Sequence, residues 1–196
     1  EELNGLIQEI LDFRKAEDAG FSHTHIRRVS VSSLLRTQFE WFYPLSEQHQ
    51  IQFKIDAPKE LYWNTDSVYF KKILANLISN AFKYAEDGGT VRISLHEEEN
   101  FLVLKVYNTG KGIEEADMQN IFDRYRILGT MDNDDNRQNT TRNGLGLFIC
   151  HSLVQSLGGK IDIESEVGQY AEFTVTLPFG IVEETSDNTI DEEIPV

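Results

Sequence analysis

The sequence predicts an α+β fold: a two-layer α/β sandwich, with a mixed, mostly antiparallel sheet carrying helices on one face. Three observations predict it. Residues 67–84 place Phe70, Ile73, Leu74, Leu77, Ile78 and Ala81 at the i, i+3, i+4, i+7 spacing of a helix with one buried stripe. Residues 90–96 and 101–107 alternate apolar with polar, and the polar residues 96–100 between them make a hairpin. Residues 160–165 and 172–177 alternate again after Gly158-Gly159 and before Pro178, so two further strands close the sheet.

The elements follow in order. Residues 2–18 carry Leu3, Leu6, Ile7, Ile10 and Leu11 at helical spacing, and residues 19–32 break the pattern. This is a helical arm whose stripe seeks another helix; packing on its own domain is the alternative. Leu34, Leu35, Phe39, Phe42 and Leu45 make a second amphipathic helix over residues 31–48, with Ser32 or Ser33 as cap and Pro44 near its end or at a kink. Short strands follow at 51–55 and 61–63. Asn64-Thr-Asp66 then offers caps for the long helix. Short helical pieces are expected at 114–121, then a polar stretch over 129–143, which is either a lid or a plain connector. A helix over 145–157 stops at Gly158-Gly159.

Composition narrows the function. With 196 residues, 40% apolar and 26% charged, the chain holds one ordinary domain with an appendage. No apolar run reaches the roughly 18 residues a membrane helix needs. A formal net charge of −15 disfavours nucleic acid and anionic lipid as partners. Much of that charge sits at Asp132, Asp134, Asp135 and in the tail after Glu183, where a solvated surface is the plain explanation. A single cysteine, Cys150, permits no internal disulfide and reads as a small core residue.

The chemistry lies in three blocks. Asn76-Leu-Ile-Ser-Asn80-Ala-Phe-Lys83-Tyr84 puts Asn76, Asn80 and Lys83 on a polar stripe beside the core stripe. Asparagine is a poor helix former, which weighs against ornament. Asn108-Thr-Gly110-Lys-Gly112-Ile113 is a tight turn that either admits a base or merely lets a strand exit sharply. Asn143-Gly144-Leu145-Gly146-Leu147 opens an apolar helix, whose free N–H groups and dipole attract phosphate. Neither a Walker loop nor a dinucleotide fingerprint is present. The combination describes a nucleoside triphosphate pocket. Asn80 offers a neutral oxygen to Mg²⁺, while Lys83 and Arg126 offset phosphate charge.

These blocks resemble the N, G1 and G2 boxes of the catalytic domain of sensor histidine kinases, within the Bergerat-fold ATPases. Phe122-Asp-Arg-Tyr resembles the F box, and residues 158–168 and 173–178 resemble the closing strands. The resemblance covers about residues 30–178. It implies ATP and Mg²⁺ as ligands: Asn80 as metal ligand, Asn76 near the phosphates, and Lys83 and Tyr84 on phosphate and nucleotide. It places Asn108, Gly110, Gly112 and Ile113 at the adenine, Arg126 at the phosphates, and Gly144, Leu145, Gly146 and Leu147 beneath a lid. Asn76 and Lys83 are the expected catalytic residues.

The resemblance also implies a layout: residues 1–19 as the end of a dimerisation helix, 20–30 as linker, 31–179 as catalytic domain and 180–196 as acidic linker. Implied partners are the kinase's own dimerisation and phosphoacceptor domain, a second copy in a homodimer, and a response regulator or fused receiver domain. The expected setting is the cytoplasmic part of a membrane-anchored sensor. Three departures stand out, one of them Arg142, which stands where a glycine is common in the second glycine block. Asn108 replaces the usual Asp, leaving a neutral acceptor. His23 and His25 lie in the broken stretch and do not fit a phosphoacceptor helix, so that histidine is expected upstream. The alternatives are a degenerate scaffold domain and an ATPase of the gyrase or MutL type, which carries Glu where this chain has Asn76.

Overall fold

Each strand and helix begins where the side chains demand it. The computed structural model describes residues 24–123 and 146–181. In order the elements are β1 (Arg27–Ser30), α1 (Val31–Gln48), β2 (Gln52–Asp56), β3 (Tyr62–Thr65), α2 (Ser67–Tyr84), β4 (Thr90–Glu98), β5 (Phe101–Thr109), the single turn α3 (Glu115–Met118), α4 (Gly146–Ser156), β6 (Lys160–Glu166) and β7 (Tyr170–Pro178). The main sheet runs β2-β4-β5-β7-β6, and β1 pairs with β3 in a separate ribbon.

The sheet is mixed as expected: β2 runs parallel to β4, and every other pairing is antiparallel. A parallel neighbour needs a crossover, and α2 supplies it. Along β7, Ala171, Phe173, Val175 and Leu177 turn inward toward the helices, while the intervening residues stay half-exposed. The helices answer with Phe70, Ile73, Leu74, Leu77 and Ile78 of α2 and Cys150, Leu153 and Val154 of α4, all buried. On the other face a polar ladder crosses the strands. Arg92 lies over the Tyr107 ring at 4.8 Å, and Tyr107 stacks on Tyr170.

The helix ends have local causes. Asp66 caps α2, accepting from the amides of Val68 and Tyr69 at 2.8 and 3.1 Å. A paired closure ends α4: Gly158 donates to the Gln155 carbonyl and Gly159 to that of Val154, with Gly158 at φ +72°. The helix α1 continues past Pro44. Its missing N–H is tolerated near the helix end; close by, the Ser46 hydroxyl donates to the Tyr43 carbonyl at 2.6 Å.

Several expectations need correction. Ser30, not Ser32 or Ser33, caps α1, through a contact of 3.4 Å from the Ser33 amide. Ser32 turns inward and accepts from the Leu61 amide at 3.0 Å. The hairpin joint is Glu99-Asn100 alone, both at positive φ, rather than 96–100. Two such residues match the strands' twist, so pairing persists to Glu98 and Phe101. Only Glu115–Met118 of the segment 114–121 is α-helical. The stretch read as linker contains β1, and Gly180, read as the start of the tail, hydrogen-bonds to Asn64 of β3. The arm at residues 1–19, the stretch 129–143 and the tail beyond 181 lie outside the described residues.

Candidate nucleotide site

The long helix α2 presents two faces. Its apolar stripe is fixed in the core, which forces Asn76, Asn80 and Lys83 onto the flank, where all three are partly buried. That flank meets the start of α4. A side chain added at Gly146 would stand 3.4 Å from the Asn76 amide oxygen, so the first residue of α4 lies directly against Asn76. The structure therefore joins two sequence blocks separated by about seventy positions. Lys83 and Tyr84 close the same helix, with the Lys83 ammonium 5.2 Å from the centre of the Tyr84 ring.

The first glycine turn abuts this helix end. Ala85 and Gly110 form an isolated antiparallel bridge. Gly110, at φ +149°, lies so close to Tyr84 that any Cβ would press into its carbonyl. Gly112, at φ +65°, faces Glu166 and Val167 just as closely. Of the two readings of this turn, backbone packing accounts for both glycines directly. The turn is tied down further on. The Ile113 amide donates to the Ser165 hydroxyl at 2.9 Å, and that hydroxyl donates to the Tyr170 carbonyl at 2.6 Å. Gly110 donates to the Gln169 carbonyl, and Gly168 to that of Lys111.

Asn108 stands at the mouth of this turn, on the central strand β5, and is almost wholly buried. Its amide nitrogen donates to the Thr109 carbonyl at 3.1 Å. With the nitrogen so engaged, the group it offers a ligand is the side-chain oxygen, an acceptor. Phe122 stacks on His151 of α4 and meets Phe173 of β7 edge-on, so the F-box aromatic joins helix to sheet. Leu147 packs against the core. Arg126, Gly144 and Leu145 fall outside the described residues.

Sequence reasoning missed Ser165 and Thr109. Thr109 accepts from the Thr90 amide at 2.8 Å, fixing the strand that leads into the turn. Both are hydroxyl residues in strands, where composition gives no cue to a hydrogen bond with a distant backbone. Cys150 is fully buried, and burial pushes its thiol up to about 12, so it is a core residue.

The residues present suit a Mg–triphosphate. Two side-chain amides supply hard, neutral oxygens, and the glycine at the start of α4 leaves a cradle against Asn76 that a side chain would fill. Among the described residues no cluster of three or more His, Cys, Asp or Glu is placed to hold a metal alone. Any ion here would share its ligands with the phosphates.

Comparison with known proteins gives the family. Residues 65–181 match the family described as histidine kinase-, DNA gyrase B-, and HSP90-like ATPase. Sensor protein EvgS of Escherichia coli O157:H7 is 29% identical over 201 residues, covering 99% of this chain and 16% of its own length. Sensor protein SrrB of Staphylococcus aureus (strain NCTC 8325 / PS 47) is 29% identical over 176 residues, covering 90% of this chain and 29% of its own. The chain thus spans well under a third of these relatives. Among solved structures, full-length ShkA in complex with AMPPNP superposes with a TM-score of 0.76 at 25% identity, covering 91% of this chain and 36% of that one. The nucleotide-free catalytic domain of histidine kinase ThkA gives 0.68 at 24% identity, covering 79% and 95%. The chain belongs to the histidine kinase-, DNA gyrase B- and HSP90-like ATPase family.

Proposed function

We propose that this domain binds ATP with Mg²⁺ between α2 and α4 and passes the γ-phosphoryl group to a histidine upstream of the segment. The observation that carries the proposal is the approach of Gly146 to Asn76, where an added Cβ would stand 3.4 Å from the Asn76 amide oxygen. It sets an amide-bearing helix face against a glycine-opened helix start, where phosphate is favoured. Asn80 holds the ion, which supplies charge neutralisation along the phosphate chain. Asn76 and Lys83 orient and neutralise the phosphates, and Tyr84 packs beside the nucleotide. Asn108, Gly110, Gly112 and Ile113 line the adenine side. Arg126, Gly144, Leu145, Gly146 and Leu147 complete the phosphate end.

Such a site works by positioning and charge stabilisation, as phosphoryl transfer requires. The formal net charge of −15 over the whole chain makes local compensation necessary at the site. The acceptor imidazole nitrogen gains the phosphoryl group, and ADP leaves. His25 lies in the irregular stretch before β1, on no helix, which suits it poorly as an acceptor. In this reading residues 1–19 are the end of a dimerisation helix, the catalytic unit runs from β1 to Gly180, and the acidic residues beyond it are a tether. Its partners are its own phosphoacceptor domain in a homodimer, and a response regulator or fused receiver; a solved ThkA structure is a complex with the response regulator TrrA. No helix among the described residues is long and apolar enough to cross a membrane. The proposed setting is the cytoplasmic part of a membrane-anchored sensor.

Asn80→Ala tests the assignment. Calorimetry with a Mg–ATP analogue should show at least about tenfold weaker binding, the loss of one charge-assisted contact, with the melting temperature nearly unchanged. Unaltered affinity refutes the role. Labelled ATP added to an upstream-extended protein should label it on histidine.

A further inference from the structure

The cap of α2 holds more than α2. Asp66 is 4% exposed, and its two carboxylate oxygens face different partners. One accepts from Val68 and Tyr69 and starts the helix. The other accepts from the backbone amide of His25 at 2.9 Å, forty-one positions earlier, just before β1. Arg27 reaches the Ser67 hydroxyl at 3.3 Å beside it. The segment entering the domain is therefore fastened to the first turn of the helix that carries Asn76 and Asn80.

The segment leaving the domain arrives at the same corner. The Trp63 indole donates to the Pro178 carbonyl at 3.0 Å, and Phe179 meets the Trp63 ring edge-on. Gly180 exchanges two hydrogen bonds with Asn64, at 3.0 and 3.1 Å. A side chain added at Gly180 would stand 2.7 Å from the Ile26 methyl. Entry, exit and helix start converge on residues 63–67.

We propose that Asp66 is a positioning residue that latches the entry segment to the nucleotide helix. Occupancy of the site and order in residues 25–30 then rise and fall together. This rests on the nucleotide reading above. The physical ground is a buried carboxylate shared by two elements: movement of the entry segment must either break a charge-assisted bond or tilt the cap. By linkage the coupling is reciprocal.

Asp66→Asn separates the two duties. Its remaining oxygen still caps α2, whereas its NH₂ group faces the His25 N–H, donor against donor. His25→Pro deletes the donor from the other side and leaves the cap intact, so the test survives if the first variant folds poorly. Backbone hydrogen exchange is read on the full chain with and without a Mg–ATP analogue. In the unaltered chain the analogue should slow exchange over residues 25–30 by about threefold. In both variants, exchange there should be about tenfold faster, as expected for a lost bond to a charged group, and insensitive to the analogue, while residues 70–80 remain protected. An analogue that binds the unaltered chain but leaves residues 25–30 unmoved, or slows them equally in the variants, overturns the latch alone. An analogue that fails to bind the unaltered chain overturns the nucleotide reading and the coupling with it.

Discussion

Gly112 and Gly168 form a matched pair. Both adopt left-handed backbone, at φ +65° and +75°. A Cβ at Gly168 meets nothing within 4 Å, whereas one at Gly112 would stand 2.8 Å from the Glu166 carbonyl carbon and 2.9 Å from the Val167 Cα, with the carbonyl oxygen nearer still. Alanine at either position bears the same left-handed penalty, about 1–2 kcal/mol. At Gly112 it also presses backbone on backbone, and overpacking of that kind costs about 1–3 kcal/mol more. For a domain of this size each kcal/mol moves the melting temperature by roughly 2–4 °C. Gly112→Ala should therefore melt roughly 2–12 °C below Gly168→Ala. The turn should also be pushed away from residues 166–167, distorting the adenine side and weakening analogue binding; Gly168→Ala should bind normally. Paired thermal scans followed by circular dichroism decide the matter. Equal melting temperatures refute the claim that close backbone contact, rather than φ alone, demands glycine at 112.

Three further outcomes follow from the same geometry. Asn108→Asp should not improve the site, although Asp is the family's usual residue. It replaces the NH₂ that donates to the Thr109 carbonyl with an acceptor, so urea denaturation should show a loss of about 1–3 kcal/mol; a stabilised variant contradicts this. Ser32→Ala strands the Leu61 amide and should cost about 1–3 kcal/mol, against about 0.5–1 kcal/mol for the long cap bond removed by Ser30→Ala. The reverse ranking in denaturant melts would show that the buried hydroxyl is dispensable. The Cys150 thiol, pushed from 9.0 up to about 12 by burial, stays protonated when folded but ionises near 9 when unfolded. Its contribution to stability is complete below pH 9 and falls as pH rises toward 12. Thiol reagents should react at pH 8 only after denaturation, and prompt labelling of the native chain would refute its burial.

Periodicity made much of this architecture legible. The stripe Phe70 to Ala81 fixed the long helix and both its ends, because a buried stripe and an Asp cap are local signals. The strands of the hairpin were equally visible. The turn between them was not, since Glu99, unlike Asn100, is not a usual residue at positive φ. The inward rotation of Ser32 and the docking of Gly180 on Asn64 depend on residues far away in sequence, and no local pattern encodes such pairings. At the site, the spacing of Asn76, Asn80 and Lys83 placed them together on a flank. That this flank would meet Gly146 was a tertiary fact, available beforehand only through family resemblance.

The order of the sheet bears on how the chain is born. Among the described residues the last strand in chain order, β7, is inserted between β5 and β6 rather than added at a rim. A nascent polypeptide emerging from the ribosome cannot zip its middle shut until Pro178 has cleared the exit tunnel. Before then β5, paired with β4 on one side, lacks a neighbour on the other along nine residues, a sticky edge inviting aggregation. Synthesis halted anywhere short of that proline should yield material for chaperones and proteases, not a smaller folded domain.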